Sequence, residues 1–175
     1  MASDSSDSFI GIHAGGRMRY FLIALAWLIA VPAASAAEWQ TYSNARFGYR
    51  AEVPPGFRMA RAPDNDDGRT FTGPNGDRIL VFGTNLLDTA FEGEASNRIA
   101  QAMDDGWQIS YSRVEADWAS YSGTNGSRIL YVRGVQLCDE AAAFVMLEYR
   151  SRDLKAYDAI VKRMVASLKP VGCAR

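Results

Sequence analysis

Asp64-Asn65-Asp66-Asp67-Gly68 puts three carboxylates into five residues, the oxygen density that a calcium ion coordinates. A helix-loop-helix calcium loop also needs glycine at its sixth place and a bidentate acid at its twelfth. Counted from Asp64, glycine comes fifth and the twelfth place is Asn75, an amide. The segment is therefore expected to be a solvated loop. Were it to hold a cation, Asp64, Asp66 and Asp67 would be the ligands. Cys138 and Cys173 are the only cysteines and lie too far apart for a C-x-x-C redox or zinc motif. In an oxidising compartment such a pair is expected to form a structural disulfide, with free or intermolecular thiols as the alternative. Asp139 and Glu140, beside Cys138, read as the polar tip of a hairpin.

The missing residue types narrow the chemistry further. The single histidine is His13, in a stretch expected to be absent from the exported chain. Without it there is no Ser-His-Asp or Cys-His catalysis and no His-ligated zinc. Catalysis by carboxylates, lysine or tyrosine stays open, but it needs paired acids or a desolvated lysine. The lysines are Lys155, Lys162 and Lys169, all on one helical segment or at its end. No catalytic or cofactor-binding residue is assigned.

Those residues must be carried by a chain that begins with a targeting signal. Met18-Arg19 is a short basic start, Tyr20 to Val31 is almost wholly apolar, and Ala34-Ser35-Ala36 offers the small residues that a signal peptidase reads. Cleavage is expected between Ala36 and Ala37, giving a periplasmic or secreted protein. Residues 1–17 are polar and Gly/Ser-rich, and read as a disordered leader or a mis-assigned start. Residues 18–36 are the signal peptide and 37–175 a single domain. With 19 basic and 20 acidic residues, the chain carries no basic footprint for nucleic acid. No segment of the mature part is long and apolar enough to span a bilayer.

Tyr49, Ala51 and Val53 alternate with Arg50 and Glu52, the period of a half-buried strand that Pro54-Pro55-Gly56 stops. Phe57 to Ala60 is expected to resume as an edge strand. Next comes F-T-G-P-N-G-D-R-I-L (71–80), which nearly recurs as Y-S-G-T-N-G-S-R-I-L (121–130). Asn-Gly between alternating strands is the strongest short-range hairpin signal, since both residues tolerate the positive φ of a type I′ turn. Both copies are expected to be hairpins of the same turn chemistry rather than a duplicated ligand loop, with Gly73 and Gly123 marking a bulged or longer loop. Glu92 to Asp105 reads as a helix burying Ala95, Ile99, Ala102 and Met103, capped by Gly106. Ala143 to Arg150 is apolar on both faces and belongs mid-sheet. Leu154, Tyr157, Ile160, Val161, Met164, Val165 and Leu168 mark the apolar face of a last helix, which Pro170 ends. The order predicts an α+β domain, an antiparallel β-sheet covered by helices.

Tyr42, Phe47-Gly48-Tyr49, Val53-Pro54-Pro55-Gly56-Phe57 and the closing A-S-L-K-P (166–170) resemble the PsbP-like superfamily across essentially all of the mature chain. The resemblance implies an α/β/α sandwich and a non-enzymatic role, as in extrinsic subunits, assembly factors and exported bacterial proteins. It carries over no functional residue. The expected function is an exported, non-catalytic binding or assembly module whose partner is an envelope protein. The alternative is a small carrier holding an apolar ligand between sheet and helix, lined by aromatics such as Trp107, Tyr111, Trp118 and Tyr121. A carboxylate-dependent hydrolase comes third.

Overall fold

Tyr49, Ala51 and Val53 are buried while Arg50 points to water, as their alternation requires. They form β2 (Tyr49–Val53), which pairs antiparallel with β1 (Gln40–Asn44) and, on its other edge, with β10 (Lys169–Pro170). The computed structural model describes residues 38–138 and 140–172, all inside one compact unit, Ser35–Arg175. The expected leader (1–17), signal peptide (18–36), its cleavage point at Ala36-Ala37, Asp139 and Cys173 lie outside the described residues.

The other strands are β3 (Arg58–Met59), β4 (Gly68–Thr72), β5 (Arg78–Asn85), β6 (Gln108–Val114), β7 (Trp118–Asn125), β8 (Arg128–Gln136) and β9 (Ala141–Arg150). They make one seven-stranded antiparallel sheet in the order β3-β4-β5-β9-β8-β7-β6. The most apolar strand, β9, holds the centre. Ala141, Ala143, Val145, Leu147 and Tyr149 point to one face, and Ala142 and Phe144 to the other.

The first face is covered by the small sheet and by α2 (Leu154–Ser167), whose Tyr157 and Met164 are buried. The Arg163 guanidinium pins α2 to β2 by donating to both Glu52 oxygens, at 2.7 and 3.1 Å. That contact also holds the Glu52 carboxyl below its usual range. The second face is covered by α1 (Phe91–Asp104), with Phe91, Ala95 and Ala102 facing Phe144, Leu130 and Val132. Trp107 N–H reaches the Ala102 carbonyl and Gly106 N–H the Met103 carbonyl, each at 3.0 Å, with Gly106 at φ 88°. This is a Schellman motif, and glycine is there because the left-handed conformation demands it.

Several expectations change. The α1 stripe is centred on Phe91 and Ala95, so Met103, rotated about 100° from Ala102, is 58% exposed rather than buried. Leu154 is likewise exposed at the start of α2. Among the described residues there are two sheets, not one. Pro170 does not merely stop a helix; after Leu168 the backbone extends, and Lys169–Pro170 closes the small sheet as an edge strand, where proline's missing N–H is tolerated.

Candidate functional site

The recurring stretch starts two strands that flank the centre. Arg78-Ile79-Leu80 opens β5 and Arg128-Ile129-Leu130 opens β8, on either side of β9. Both arginines reach Glu148 of β9, Arg78 Nη1 at 3.2 Å and Arg128 Nη2 at 3.9 Å. Arg128 Nη2 also donates to the Gly76 carbonyl at 3.2 Å, tying the two hairpins together. In both copies the isoleucine packs on the α2 face, and the leucine lies on the α1 face.

The turns themselves differ, which corrects the expectation of one turn chemistry used twice. In the first copy Asn75 (φ 64°, ψ 17°) and Gly76 (φ 76°) are both left-handed, and Asp77 N–H donates to the Pro74 carbonyl at 3.2 Å. That is the type I′ turn. In the second, β7 continues through Asn125, which pairs directly with Arg128. Gly126-Ser127 is then the two-residue loop, with positive φ at Gly126 alone. That is the type II′ pattern, glycine first. Gly73 opens the longer connection 73–77 between β4 and β5, and Gly123 pairs with Ile109 where the β6 register shifts, as the expected bulged or longer loop has it; both also mark close approaches. A Cβ at Gly73 would lie 2.5 Å from the Phe57 ring, and one at Gly123 2.5 Å from the Gln108 carbonyl oxygen.

The one-residue offset decides where the polar residue of each copy ends up. Asp77 is 1% exposed and Ser127 lies in water. Tyr157 of α2 donates its hydroxyl to Asp77 Oδ2 at 2.5 Å and stacks on Tyr149, with centroids 4.3 Å apart. Burial, then the hydrogen bond to Asp77, push the Tyr157 hydroxyl pKa well above its ordinary value. Asp77 Oδ1 has no hydrogen-bond partner among the described residues. Asp77 is also one of the residues around a pocket of about 290 Å³ walled by Pro55, Phe57, Pro74 and Ile160, with Asp153 among them.

A larger groove of about 410 Å³ lies on the opposite face, between α1 and the part of the sheet that α1 leaves uncovered. Leu80, Phe82, Trp107, Tyr121, Leu130 and Met146 supply its apolar lining. Arg78, Arg98, Asp67, Asp105 and Glu148 bring charge to it. Arg98 of α1 lies over the Phe82 and Phe144 rings, 4.6 and 4.7 Å from their centroids, and pairs with Glu94 at 2.5 Å. Burial pushes the Tyr121 hydroxyl up to about 12.

The acidic loop is stitched into the protein instead of pointing its oxygens at one centre. Asp66 Oδ1 accepts from Arg69 and Asp67 Oδ2 from Asn65, each at 2.9 Å. Its carbonyls accept from Asn44, Arg46 and Tyr49. Asp64 is exposed. Among the described residues no group of three or more metal-ligating side chains converges. Cys138 is half-buried in the turn between β8 and β9, with Glu140 left-handed beside it at φ 53°. The aromatics scatter rather than forming one lining. Tyr42, Tyr49 and Tyr121 are buried, Trp118 stacks under Arg113 and Arg133, and Tyr111 faces solvent.

Sequence reasoning missed Asp77, Tyr157, Arg98 and the Arg78–Glu148–Arg128 cluster. Strand parity carried part of the signal. In β5 the residues in step with Ile79 and Val81 face α2, and continuing that step backwards reaches Asp77.

In three dimensions the chain matches cyanobacterial PsbP (CyanoP) from Synechocystis sp. PCC 6803, with a TM-score of 0.59 at 12% identity over 77% of this chain and 93% of that one. The fold is the PsbP fold. The Saccharomyces cerevisiae Ran-binding protein Mog1p matches with a TM-score of 0.56 at 9% identity, over 77% and 96% of the two chains. A mutant of Mog1 gives 0.58 at 9% identity, over the same shares. No family model and no curated protein matches the sequence. The PsbP-like architecture thus persists here with little of the sequence of those proteins.

Proposed function

We propose that this is an exported, non-catalytic module that binds another protein of the bacterial envelope through the groove between α1 and the seven-stranded sheet. The observation that carries this reading is the mixed lining of the groove. Its apolar floor of Leu80, Phe82, Leu130 and Met146 is rimmed by Arg78, Arg98, Asp105 and Glu148, the pairing of apolar centre and polar rim found at protein interfaces. One of the proteins that share its fold is a Ran-binding protein, which agrees with a protein-binding use of the architecture. Leu80→Asp and Met146→Asp, each placing a charge on the floor, should abolish capture of an envelope partner while leaving the thermal melt within a few degrees. Capture by both variants at the parent level would refute the reading.

The carrier reading keeps one observation in its favour: the groove does lie between sheet and helix. A wholly apolar ligand would however cover the charged rim without pairing it, at a desolvation cost. Native mass spectrometry of protein purified from the envelope would reveal such a ligand. The hydrolase reading could use Asp67, Asp105 and Glu148 around the groove, or Asp77 and Asp153 beside the smaller pocket. Glu148 is paired with Arg78 and Arg128, and Asp67 accepts from Asn65. Asp153 is paired with Arg150 at 3.4 Å and Asp77 is held by Tyr157, whose proton is bound more tightly than usual. That arrangement fixes protons and does not move them.

Two further parts belong to this proposal. Export predicts an N-terminus at Ala37, which sequencing of the envelope protein checks; an intact Met18 would refute it. Cys138 bonds to Cys173, closing a loop of about 36 residues that should stabilise the fold by ~3–4 kcal/mol. β10, just before Cys173, packs near β8, just before Cys138, so the segments are neighbours. Mass before and after alkylation should find both thiols protected.

A further inference from the structure

We propose that the groove takes one amphipathic helix of the partner, laid beside α1 along β5 and β9, an inference that rests on the groove being the partner surface. The groove continues beyond α1's side of the floor. A second hollow of about 290 Å³, walled by Ala60, Arg61, Pro63 and Thr70, shares Leu80 and Asp67 with it. Thr70, Leu80 and Met146 stand opposite one another on β4, β5 and β9, so the joined floor crosses three strands. At a strand spacing of ~4.8 Å that floor is ~10 Å wide, the diameter of one α-helix. α1 packs chiefly on β6 and β7, toward the other end of the sheet, and shows the groove the stripe Arg98, Gln101, Ala102 and Asp105. Their i, i+3, i+4, i+7 spacing is the edge that a helix offers to a neighbour lying alongside.

The backbone of the floor decides between a helix and an extended segment. β5 is hydrogen-bonded to β4 and β9, and β9 to β5 and β8, so the floor offers no free edge to pair with. An extended segment lying there would press its own N–H and C=O groups against apolar side chains and leave them unmet, which is costly. A helix satisfies those groups internally and presents only side chains. Leu80, Phe82 and Met146, half-buried in the free chain, are the surface it would cover. The stripe from Arg98 to Asp105 is ~10 Å long, so about two turns of the partner helix make the contact.

The two walls carry opposite charge. On the α1 side Asp105 is exposed and its carboxylate has no ion pair among the described residues, whereas Arg98 is matched by Glu94. On the far side Arg61 and Arg58, the latter opposite Thr72, are exposed and likewise unpaired, whereas Arg69 is held by Asp66. The other charges are met within the chain: Asp67 accepts from Asn65, and Glu148 lies between Arg78 and Arg128. The complement is a helix with a basic flank toward α1 and an acidic flank toward Arg58 and Arg61. A second copy of the chain supplies no such helix from its described residues, since the apolar faces of α1 and α2 are buried in their own core.

The probe is a display library of random peptides of about 16 residues, enough for ~four turns of helix, panned on the exported protein. Selected peptides should carry apolar residues at i, i+3 or i+4, and i+7, and show helical 13Cα shifts when bound. Met146→Asp should bind them at least tenfold more weakly. Asp105→Lys, and Arg58→Glu with Arg61→Glu, change exposed side chains only; each should weaken binding at least threefold, and reversing the charge on the matching peptide flank should restore it. Peptides that need Met146 but bind in an extended form would overturn the helix while leaving the groove as the partner surface. Peptides indifferent to Met146→Asp, or none recovered, would overturn both. A parent protein that sediments as a dimer and becomes a monomer on Met146→Asp would give the groove to a second copy and overturn the proposal.

Discussion

The two Asn-Gly hairpins share six of ten residues, yet one closes on the protein interior and the other on water. Shifting the turn by one residue is enough. With Asn75-Gly76 as the central pair, the next residue is Asp77, buried under Tyr157 of α2. With Gly126-Ser127 as the central pair, the polar residue at the matching place is taken up by the turn and is exposed. Side chains in a strand alternate, so where a turn ends decides which face each residue serves. The lesson is that a repeated word fixes strand pairing, here Arg-Ile-Leu against β9, while its turn and its polar residue are free to diverge.

The largest expected difference lies in that polar residue. Asp77→Ala leaves the Tyr157 hydroxyl buried without its acceptor, which should cost ~1–3 kcal/mol in chemical denaturation. Ser127→Ala should stay within about 0.5 kcal/mol, as surface changes do. Equal losses in the two variants would break the comparison. A sequence reading that treats Asp77 as a dispensable turn residue expects little change, and the buried pair reverses that expectation.

The backbone should treat the hairpins alike. Gly76 and Gly126 are both left-handed, at φ 76° and 56°, and a Cβ on either meets nothing within 4 Å. Valine at either site is therefore penalised by conformation alone, ~1–2 kcal/mol. Thermal melts should show similar drops for Gly76→Val and Gly126→Val. A loss at one site and none at the other would mean that only one turn needs the left-handed residue.

Alkaline titration separates them again. The Tyr157 pKa is raised in the folded protein, so its contribution to stability is complete below pH ~10 and declines as pH rises above that value. Tyr49 and Tyr121, raised by burial, act in the same direction. Because the hydrogen bond to Asp77, and after it the Asp77 charge, raise the Tyr157 pKa next to burial, Asp77→Asn should bring the end of the decline to a lower pH without removing the decline. Ser127→Ala should leave the decline unchanged. Tyrosinate absorbance of the folded proteins that rises at the same pH in the parent and in Asp77→Asn would detach Tyr157 from Asp77.

Much of this fold is written in local pattern. The alternation in β2, the doubly apolar run of β9 and the i, i+3, i+4 stripe of α2 each depend on residues within a few positions. Such signals survive without knowledge of what packs where. The PsbP-like order is legible for the same reason, since Phe47-Gly48-Tyr49 and Pro54-Pro55-Gly56-Phe57 bracket one strand. What is not legible needs partners distant in sequence. Asp77 becomes important only through Tyr157, eighty residues on. Arg98 becomes part of a groove only because α1 covers part of a face and leaves Phe82 beside it. The third strand of the small sheet depends on Lys169–Pro170 returning to β2, a pairing across more than a hundred residues.

The smallest effect discriminates best, because it probes the offset and nothing else. Asn75 sits at φ 64°, and asparagine tolerates that region better than alanine because its short amide can bond locally. Asn125 has no such conformation; it is the last residue of β7, and its amide makes one long contact of 3.5 Å to the Asp105 carbonyl. Asn75→Ala should therefore cost ~0.5–1 kcal/mol. Asn125→Ala should cost less than about 0.5 kcal/mol, since alanine in an exposed strand end loses no required geometry. Equilibrium denaturation of the two single variants and their double resolves differences of this size, and the double should equal the sum because neither asparagine touches the other. If Asn125→Ala proved the costlier, the second turn would have to be centred on Asn125-Gly126 after all. Ser127 would then occupy the place of Asp77, and the two hairpins would be one design used twice.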